Sequence, residues 1–202
     1  MLQAVCDHIS SSLYPYFWKY RHWWSKGWPE SYLSKESLDQ PHRQLLCDEL
    51  EKFQPFDSVL EYGCGPGANL LCFTKRFPNA KFYGVDISRD ALELGRKILW
   101  PYRNVTLFCA GAQFPSFDTM VTDALCIYKK DIHLFFKFVK HYMTKGYIGC
   151  EWHSDCEQSF MAGRHWVHNF KKLLPGCEVT KFKWDVPDEG WDTYGHIIRW
   201  EK

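Results

Sequence analysis

The sequence predicts a three-layer α/β fold with a seven-stranded, mostly parallel sheet and a C-terminal antiparallel hairpin. Three observations carry this. From about residue 40 onward, helical and strand patterns alternate, the signature of a parallel sheet covered by helices. A glycine-rich break, Gly63, Gly65 and Gly67 in "VLEYGCGPGANLLCF", falls between a short apolar strand and the helix after it. The chain of 202 residues, 46% hydrophobic, is long enough for one well-filled core and short for two.

The elements follow in order. "HRQLLCDELEKF" sets Leu45, Leu46, Leu50 and Phe53 at helical spacing, and "DSVLEYG" reads as a short buried strand. "GANLLCFTKRFP" is a helix that stops before Pro78, "AKFYGVDIS" a strand, and "SRDALELGRKILW" a helix with Ser88 as its N-cap. "NVTLFCAG" and "TMVTDALCIY" are the third and fourth strands, "DIHLFFKFVKHYMT" a helix and "GYIGCEW" the fifth strand. A helix around "GRHWVHNFKKLL" then leads to "CEVTKFKW" and "GHIIRWEK", the closing pair, joined by the turn-rich "DVPDEGWD".

Residues 1–40 stand apart from this alternation. Aromatics make up 18% of the chain and crowd here, as Phe17, Trp18, Tyr20, Trp23, Trp24, Trp28 and Tyr32. Such rings left in water invite aggregation, so they are expected either to lie over a cleft as a lid or to pack on the sheet edge. Pro41, His42 and Arg43 form the hinge to a domain of residues 41–202, and Arg43 is placed to reach a carboxylate of cofactor or acceptor.

Composition excludes several classes. Net charge is +1 and no run of like charges occurs, so nothing marks a phosphate-backbone footprint and nucleic acid is disfavoured as a partner. "MLQAVCDHIS" lacks a basic start before an apolar stretch, and no window approaches the roughly 18 apolar residues of a membrane span. A soluble cytoplasmic protein without a membrane partner is the expectation. The nine cysteines are an odd number without C-x-x-C pairs, which favours buried thiols over a disulfide framework.

The glycine loop suits a polar or anionic cofactor. A helix N-terminus after a strand presents free backbone N–H groups, and glycines let a ligand approach the main chain. Asp86 ends the next strand, where a carboxylate can take two hydrogen bonds from ribose hydroxyls. Loop and acid together indicate a nucleoside. Gly63-x-Gly65-x-x-Ala68 satisfies the dinucleotide fingerprint, so an NAD-dependent oxidoreductase is one candidate. That fingerprint asks for neither Gly67 nor Glu61, no Y-x-x-x-K pair occurs, and the chain leaves no room for a substrate domain.

Glu61-x-Gly63-x-Gly65-x-Gly67 resembles instead the first motif, E/D-x-G-x-G-x-G, of the class I S-adenosylmethionine-dependent methyltransferases. "FYGVDIS" resembles their second motif, and the likeness runs from about residue 42 to the end. It implies a Rossmann-like methyltransferase fold and S-adenosylmethionine as cofactor. Gly63, Gly65 and Gly67 would then face its amino-acid end, and Glu61 would order the loop or meet the ammonium through water. Asp86 would hold the ribose and Ile87 pack on the adenine. Asp123, at the exit of the fourth strand, would stand near the methionine end. Where the family often has an Asp for the adenine amino group, "CAGAQF" offers Gly111 and Ala112, so backbone groups or Gln113 must serve.

The acceptor is less legible. The fourth-strand exit "DALC" is not the D/N/S-P-P-Y/F/W that amino-methylating enzymes of this fold use, which favours a small-molecule acceptor over a nucleobase or glutamine amide. His153 in "CEWHSD" and Tyr128 in "LCIYKKD" are the candidate catalytic residues, with Glu151 behind them. Cys150, His153 and Cys156 have metal-like spacing without a fourth ligand, and no metal is expected. His165 and His168 would share a helix face as surface or groove residues. A cofactor-binding module without transferase activity is the alternative of a different class.

Overall fold

The structure, a computed structural model, describes residues 27–113, 115–183 and 189–202. The lid positions Phe17, Trp18, Tyr20, Trp23 and Trp24 lie outside the described residues. Among the described residues three helices come first: α1 (Trp28–Ser31), α2 (Lys35–Leu38) and α3 (Pro41–Glu51). Ser34 caps α2 by accepting from Ser37 N, and Pro41 opens α3, where its missing N–H costs nothing.

The alternation then unfolds as β1 (Ser58–Tyr62), α4 (Ala68–Arg76), β2 (Lys81–Asp86), α5 (Arg89–Leu99), β3 (Val105–Cys109) and β4 (Phe117–Asp123). Ser88 caps α5, its hydroxyl accepting from Ala91 N. A single 3-10 turn, Cys126–Tyr128, precedes α6 (His133–Tyr142) and the long β5 (Met143–Trp152). The seven-stranded sheet has the order β3-β2-β1-β4-β5-β9-β8, with β8 (Glu178–Lys181) and β9 (Gly195–Glu201) at one edge. Strands β1 to β5 run parallel, and β9 inserts antiparallel between β5 and β8.

Alternation along each strand makes the three layers. Val59, Phe82, Val121 and Ile148 point to one face, where Leu46 and Leu50 of α3, Leu70 and Phe73 of α4 and Leu92 and Leu99 of α5 bury them. Leu60, Val85, Met120 and Tyr147 point to the other, against Phe136 and Val139 of α6 and Phe170 and Leu174. Both faces being covered, the central strands are apolar almost throughout. The acids Glu61, Asp86 and Asp123 fall at the carboxyl ends of β1, β2 and β4.

One expected element is absent. The stretch "GRHWVHNFKKLL" is not one helix. It forms β7 (His165–Val167), paired antiparallel with β6 (Phe160–Ala162), and then the short α7 (Phe170–Leu173). Gly163, at φ +61°, and Arg164 make the two-residue turn between them. Trp166 and Val167 belong to a strand, and Asn169 starts the helix by accepting from Lys172 N. The closing hairpin also differs in detail: α8 (Glu189–Tyr194) stands between β8 and β9.

Candidate functional site

At the carboxyl ends of β1, β2 and β4 lies a cleft of about 640 Å³. It runs toward the β5 side of the sheet; with strands about 4.8 Å apart, β2 to β5 is a span of about 14 Å. Glu61, Gly63, Gly65, Asp86, Ile87, Asp123 and Tyr128 of the expected residues line it. So do Trp28 and Tyr32 from the start of the chain, their rings packed edge to face at 5.7 Å.

The glycine loop is shaped by its neighbours. A Cβ on Gly63 would stand 2.9 Å from Leu125 Cδ1, and Gly63 N and Cys64 N both donate to Val85 O, which ties the loop to β2. Gly67 does not line the cleft. It is the N-cap of α4 at φ +85°, with Leu99 Cδ1 at 2.6 Å from where a Cβ would be. Gly65 faces open space.

Asp86 accepts from Gly65 N (2.8 Å) through Oδ2 and from Ser88 N (2.7 Å) through Oδ1. A carboxylate has about four acceptor positions, so each oxygen keeps capacity for one further donor. Burial pushes its pKa up, against these two backbone donors and the nearby N–H of Ile87.

Glu61 sits deeper, 2% exposed. Its Oε1 accepts from Asn69 Nδ2 (2.7 Å), while Oε2 is buried and has no hydrogen-bond partner among the described residues. Burial, aided by the nearby Asp123 and Asp86, raises its pKa to about 8. The same Asn69 Nδ2 donates to Asp123 Oδ2 (3.0 Å), and Arg43 Nη1 donates to Asn69 Oδ1. His42 Nε2–H donates to Asp123 Oδ2 at 3.1 Å, with Arg43 Nη1 at 3.7 Å from the same oxygen. Although burial opposes ionisation of Asp123, the charge and hydrogen bond of His42, with Arg43 behind, hold its pKa well below the carboxylate range. Arg43, expected to reach a carboxylate of cofactor or acceptor, is instead engaged within the chain: Nη1 faces Asn69 and Asp123, and Nε and Nη2 donate to Ser37 O and Oγ. Sequence reasoning missed Asn69, which joins the two acids.

Past Asp123 the chain turns sharply. Ala124 takes a left-handed φ of +53°, uncommon for a residue with a side chain, and its N donates to Cys150 O. Glu151, fully buried, holds the next turn: Oε1 accepts from Thr122 Oγ1 (2.8 Å) and Leu125 N (3.0 Å), and Oε2 from Cys126 N (3.0 Å). Burial lifts its pKa to about 7. His168 grips the same turn, Nε2–H donating to Cys126 O at 3.1 Å and Nδ1 accepting from Ser159 Oγ at 2.8 Å. It is a buried structural residue, where the sequence suggested a surface or groove residue on a helix. Together these two side chains set Tyr128 at the cleft.

Besides Gly67, three sequence-predicted site residues lie away from the cleft. His153 is not at the cleft. Its Nδ1 accepts from Phe170 N (3.1 Å) and its Nε2–H donates to Asp155 Oδ1 (3.2 Å), so both ring nitrogens are engaged. The cause is strand alternation: Trp152 faces His165 and Trp191, and His153 turns the other way, onto Phe170 and His196. Burial, with His196 nearby, lowers its pKa. Gly111 and Ala112 are exposed; the turn closed by Ala112 N to Cys109 O, with Gly111 at φ +93°, carries them outward and leaves Ala110 lining the cleft. His165, by contrast, stands in it.

Among the described residues no group of three or more His, Cys, Asp or Glu could hold a metal, and no helix is long and apolar enough to cross a membrane.

Comparison with known proteins places this geometry. Residues 59–146 match the family model described as a methyltransferase domain. Among curated proteins, an uncharacterized protein of Rickettsia prowazekii is 42% identical over 41 residues, 20% of this chain and 16% of that one. Among solved structures, a coclaurine N-methyltransferase bound to N-methylheliamine and S-adenosylhomocysteine superposes with a TM-score of 0.57 at 17% identity, over 69% of this chain and 49% of its own. An O-methyltransferase of a Brevibacillus brevis polyketide synthase, solved with S-adenosylhomocysteine, gives 0.58 at 17% identity, over 74% and 55%. The geranyl diphosphate C-methyltransferase of Streptomyces coelicolor gives 0.50 at 18% identity, over 56% and 46%. The chain thus spans about half the length of the solved structures it matches. Residues 59–146, from β1 into β5, thus match a methyltransferase domain, and the fold around them is shared with solved methyltransferases.

Proposed function

We propose that the protein binds S-adenosylmethionine and transfers its methyl group to a small-molecule acceptor. The observation that carries this reading is the convergence of three carboxyl groups, Glu61, Asp86 and Asp123, on a glycine loop at adjacent strand ends. A dinucleotide would set its pyrophosphate over that loop, facing Glu61 and Asp123. An ammonium there supplies the donor that Glu61 Oε2 lacks and favours ionisation of that carboxyl.

The residues fit the cofactor. Asp86 has one acceptor position left on each oxygen for the two ribose hydroxyls. The buried Oε2 of Glu61 needs a donor, and an ammonium supplies one, directly or through water. Gly63 and Gly65 allow close approach of the amino-acid end, Ile87 packs on the adenine, and Trp28 with Tyr32 shields the cleft from water. When bound, the cofactor supplies a sulfonium methyl that an acceptor's lone pair takes, the carbon–sulfur bond breaking with its electrons to sulfur. The chain's share is orientation and exclusion of water, with Tyr128 holding the acceptor.

Calorimetric titration with S-adenosylmethionine, S-adenosylhomocysteine and NAD in parallel tests this. Micromolar binding of the two sulfur compounds and none of NAD is expected, followed by appearance of labelled methyl in acceptor. Silence from both sulfur compounds refutes the cofactor; binding without any transfer across an acceptor panel favours the inactive module.

A further inference from the structure

The cleft continues past Asp123, and what lines it there is of one chemical kind. Three aromatic side chains arrive from three separate segments. Tyr128 comes from the 3-10 turn, His165 from β7 and Trp191 from α8. His165 meets Tyr128 edge to face at 5.2 Å and Trp152 at 5.0 Å, and Trp191 meets Trp152 edge to face at 5.9 Å. Trp152 is thus the buried post on which His165 and Trp191 both lean. The small β6–β7 hairpin has a clear consequence here: it delivers His165 to a wall that the central sheet alone does not supply.

Charge at this end is also of one kind. Of the residues lining the cleft beyond Asp123, namely Ala124, Leu125, Ile127, Tyr128 and Lys129 with His165 and Trp191, none is acidic. Lys129 is half-buried and pairs with no carboxylate among the described residues; its Nζ lies 5.9 Å from the Phe135 ring centre. The nearest acid at the cleft floor, Asp123, is already compensated by His42, Arg43 and Asn69. From these segments an acceptor therefore meets an unpaired ammonium and no carboxylate; the cleft's other acids, Glu36, Glu61 and Asp86, come from segments before Asp123.

We propose that this end is the acceptor subsite and that it takes a planar aromatic molecule bearing a carboxylate or a similar anion. The ring lies among Tyr128, His165 and Trp191, and the anion is drawn to Lys129. Flat rings gain both from desolvation and from edge-to-face packing, and a lysine in a partly enclosed cleft attracts an anion more strongly than one in open water. The inference deepens the methyltransferase reading and rests on it for the word acceptor.

The experiment is calorimetric titration of the full chain, first with S-adenosylhomocysteine and then, at saturation, with 4-hydroxybenzoate, p-cresol and tyramine, three rings that are anionic, neutral and cationic. The expected order is 4-hydroxybenzoate, then p-cresol, then tyramine, with about tenfold or more between first and last. Lys129→Gln, at a half-buried position outside the core, should abolish that spread without loss of S-adenosylhomocysteine binding, and Trp191→Ala should weaken all three rings. S-adenosylhomocysteine binding with no ring bound, tyramine bound as tightly as 4-hydroxybenzoate, or an unchanged order in Lys129→Gln each overturns the subsite. If S-adenosylhomocysteine itself does not bind, the cofactor reading falls, and the three rings titrated alone still decide the subsite by the same order.

Discussion

Replacing Glu61 by Gln keeps the side chain's size and its acceptor for Asn69 Nδ2, and removes its ability to ionise. In the folded protein without cofactor, burial together with Asp123 and Asp86, opposed by Asn69 and Arg43, moves the Glu61 pKa from 4.5 to about 8. The folded state thus holds this proton over a pH range in which the unfolded chain has lost it. Stability must then fall as pH rises, from the unfolded pKa up to the folded one, and level off above. One pKa unit is worth about 1.36 kcal/mol, so the full shift sets an upper bound of about 5 kcal/mol, of which about 2 kcal/mol falls between pH 6 and pH 8. Urea unfolding of wild type and Glu61→Gln across that range, without cofactor, reads the difference directly. The wild type should lose about 2 kcal/mol relative to the variant, because contributions from Glu151 and the histidines cancel in the comparison. A bound ammonium should pull the proton off, so S-adenosylhomocysteine binding near pH 7 should show an enthalpy that varies with the buffer's ionisation heat in wild type and not in the variant. Parallel stability curves for the two proteins would falsify the assignment of Glu61 as a neutral carboxyl.

Other changes read other parts of the site. Asp86→Asn should weaken S-adenosylhomocysteine by about 1 to 3 kcal/mol, through loss of ribose hydrogen bonds, in a titration; an unchanged affinity returns Asp86 to ordering the loop alone. Gly67→Ala puts a Cβ against Leu99 at φ +85° and should cost about 1 to 3 kcal/mol of stability in thermal or urea unfolding, and a neutral result contradicts the strain. His153→Ala leaves Phe170 N without its acceptor and should cost about 1 to 3 kcal/mol of stability while S-adenosylhomocysteine affinity stays the same; a normal stability with lost binding would bring His153 back to the cleft.

Gly63, Gly65, Asp86 and Asp123 were legible because each is set by local sequence: a strand of known period ends, and its last residue or the turn after it faces the ligand edge. Asn69 was not, although it is the second residue of the helix after the glycines. Nothing in its neighbours announces that a helix residue will bridge acids on two different strands. His165 and His168 were misplaced because Trp166 and Val167 fit a helical face as readily as a strand, and the deciding signal, Gly163 at the tip of a two-residue turn, is one residue long.

The sequence by itself determined the order of helices and strands from residue 40 through β5, the glycine loop and the acids at the ends of β1, β2 and β4, because period and punctuation are local properties of a chain. Only the tertiary structure decided that His42, 81 residues before Asp123, pairs with it, that His165 enters the cleft and that His153, two residues past Glu151, does not. Those outcomes depend on which strand lies beside which and on which face a residue turns to, and a shift of one residue along a strand reverses the face.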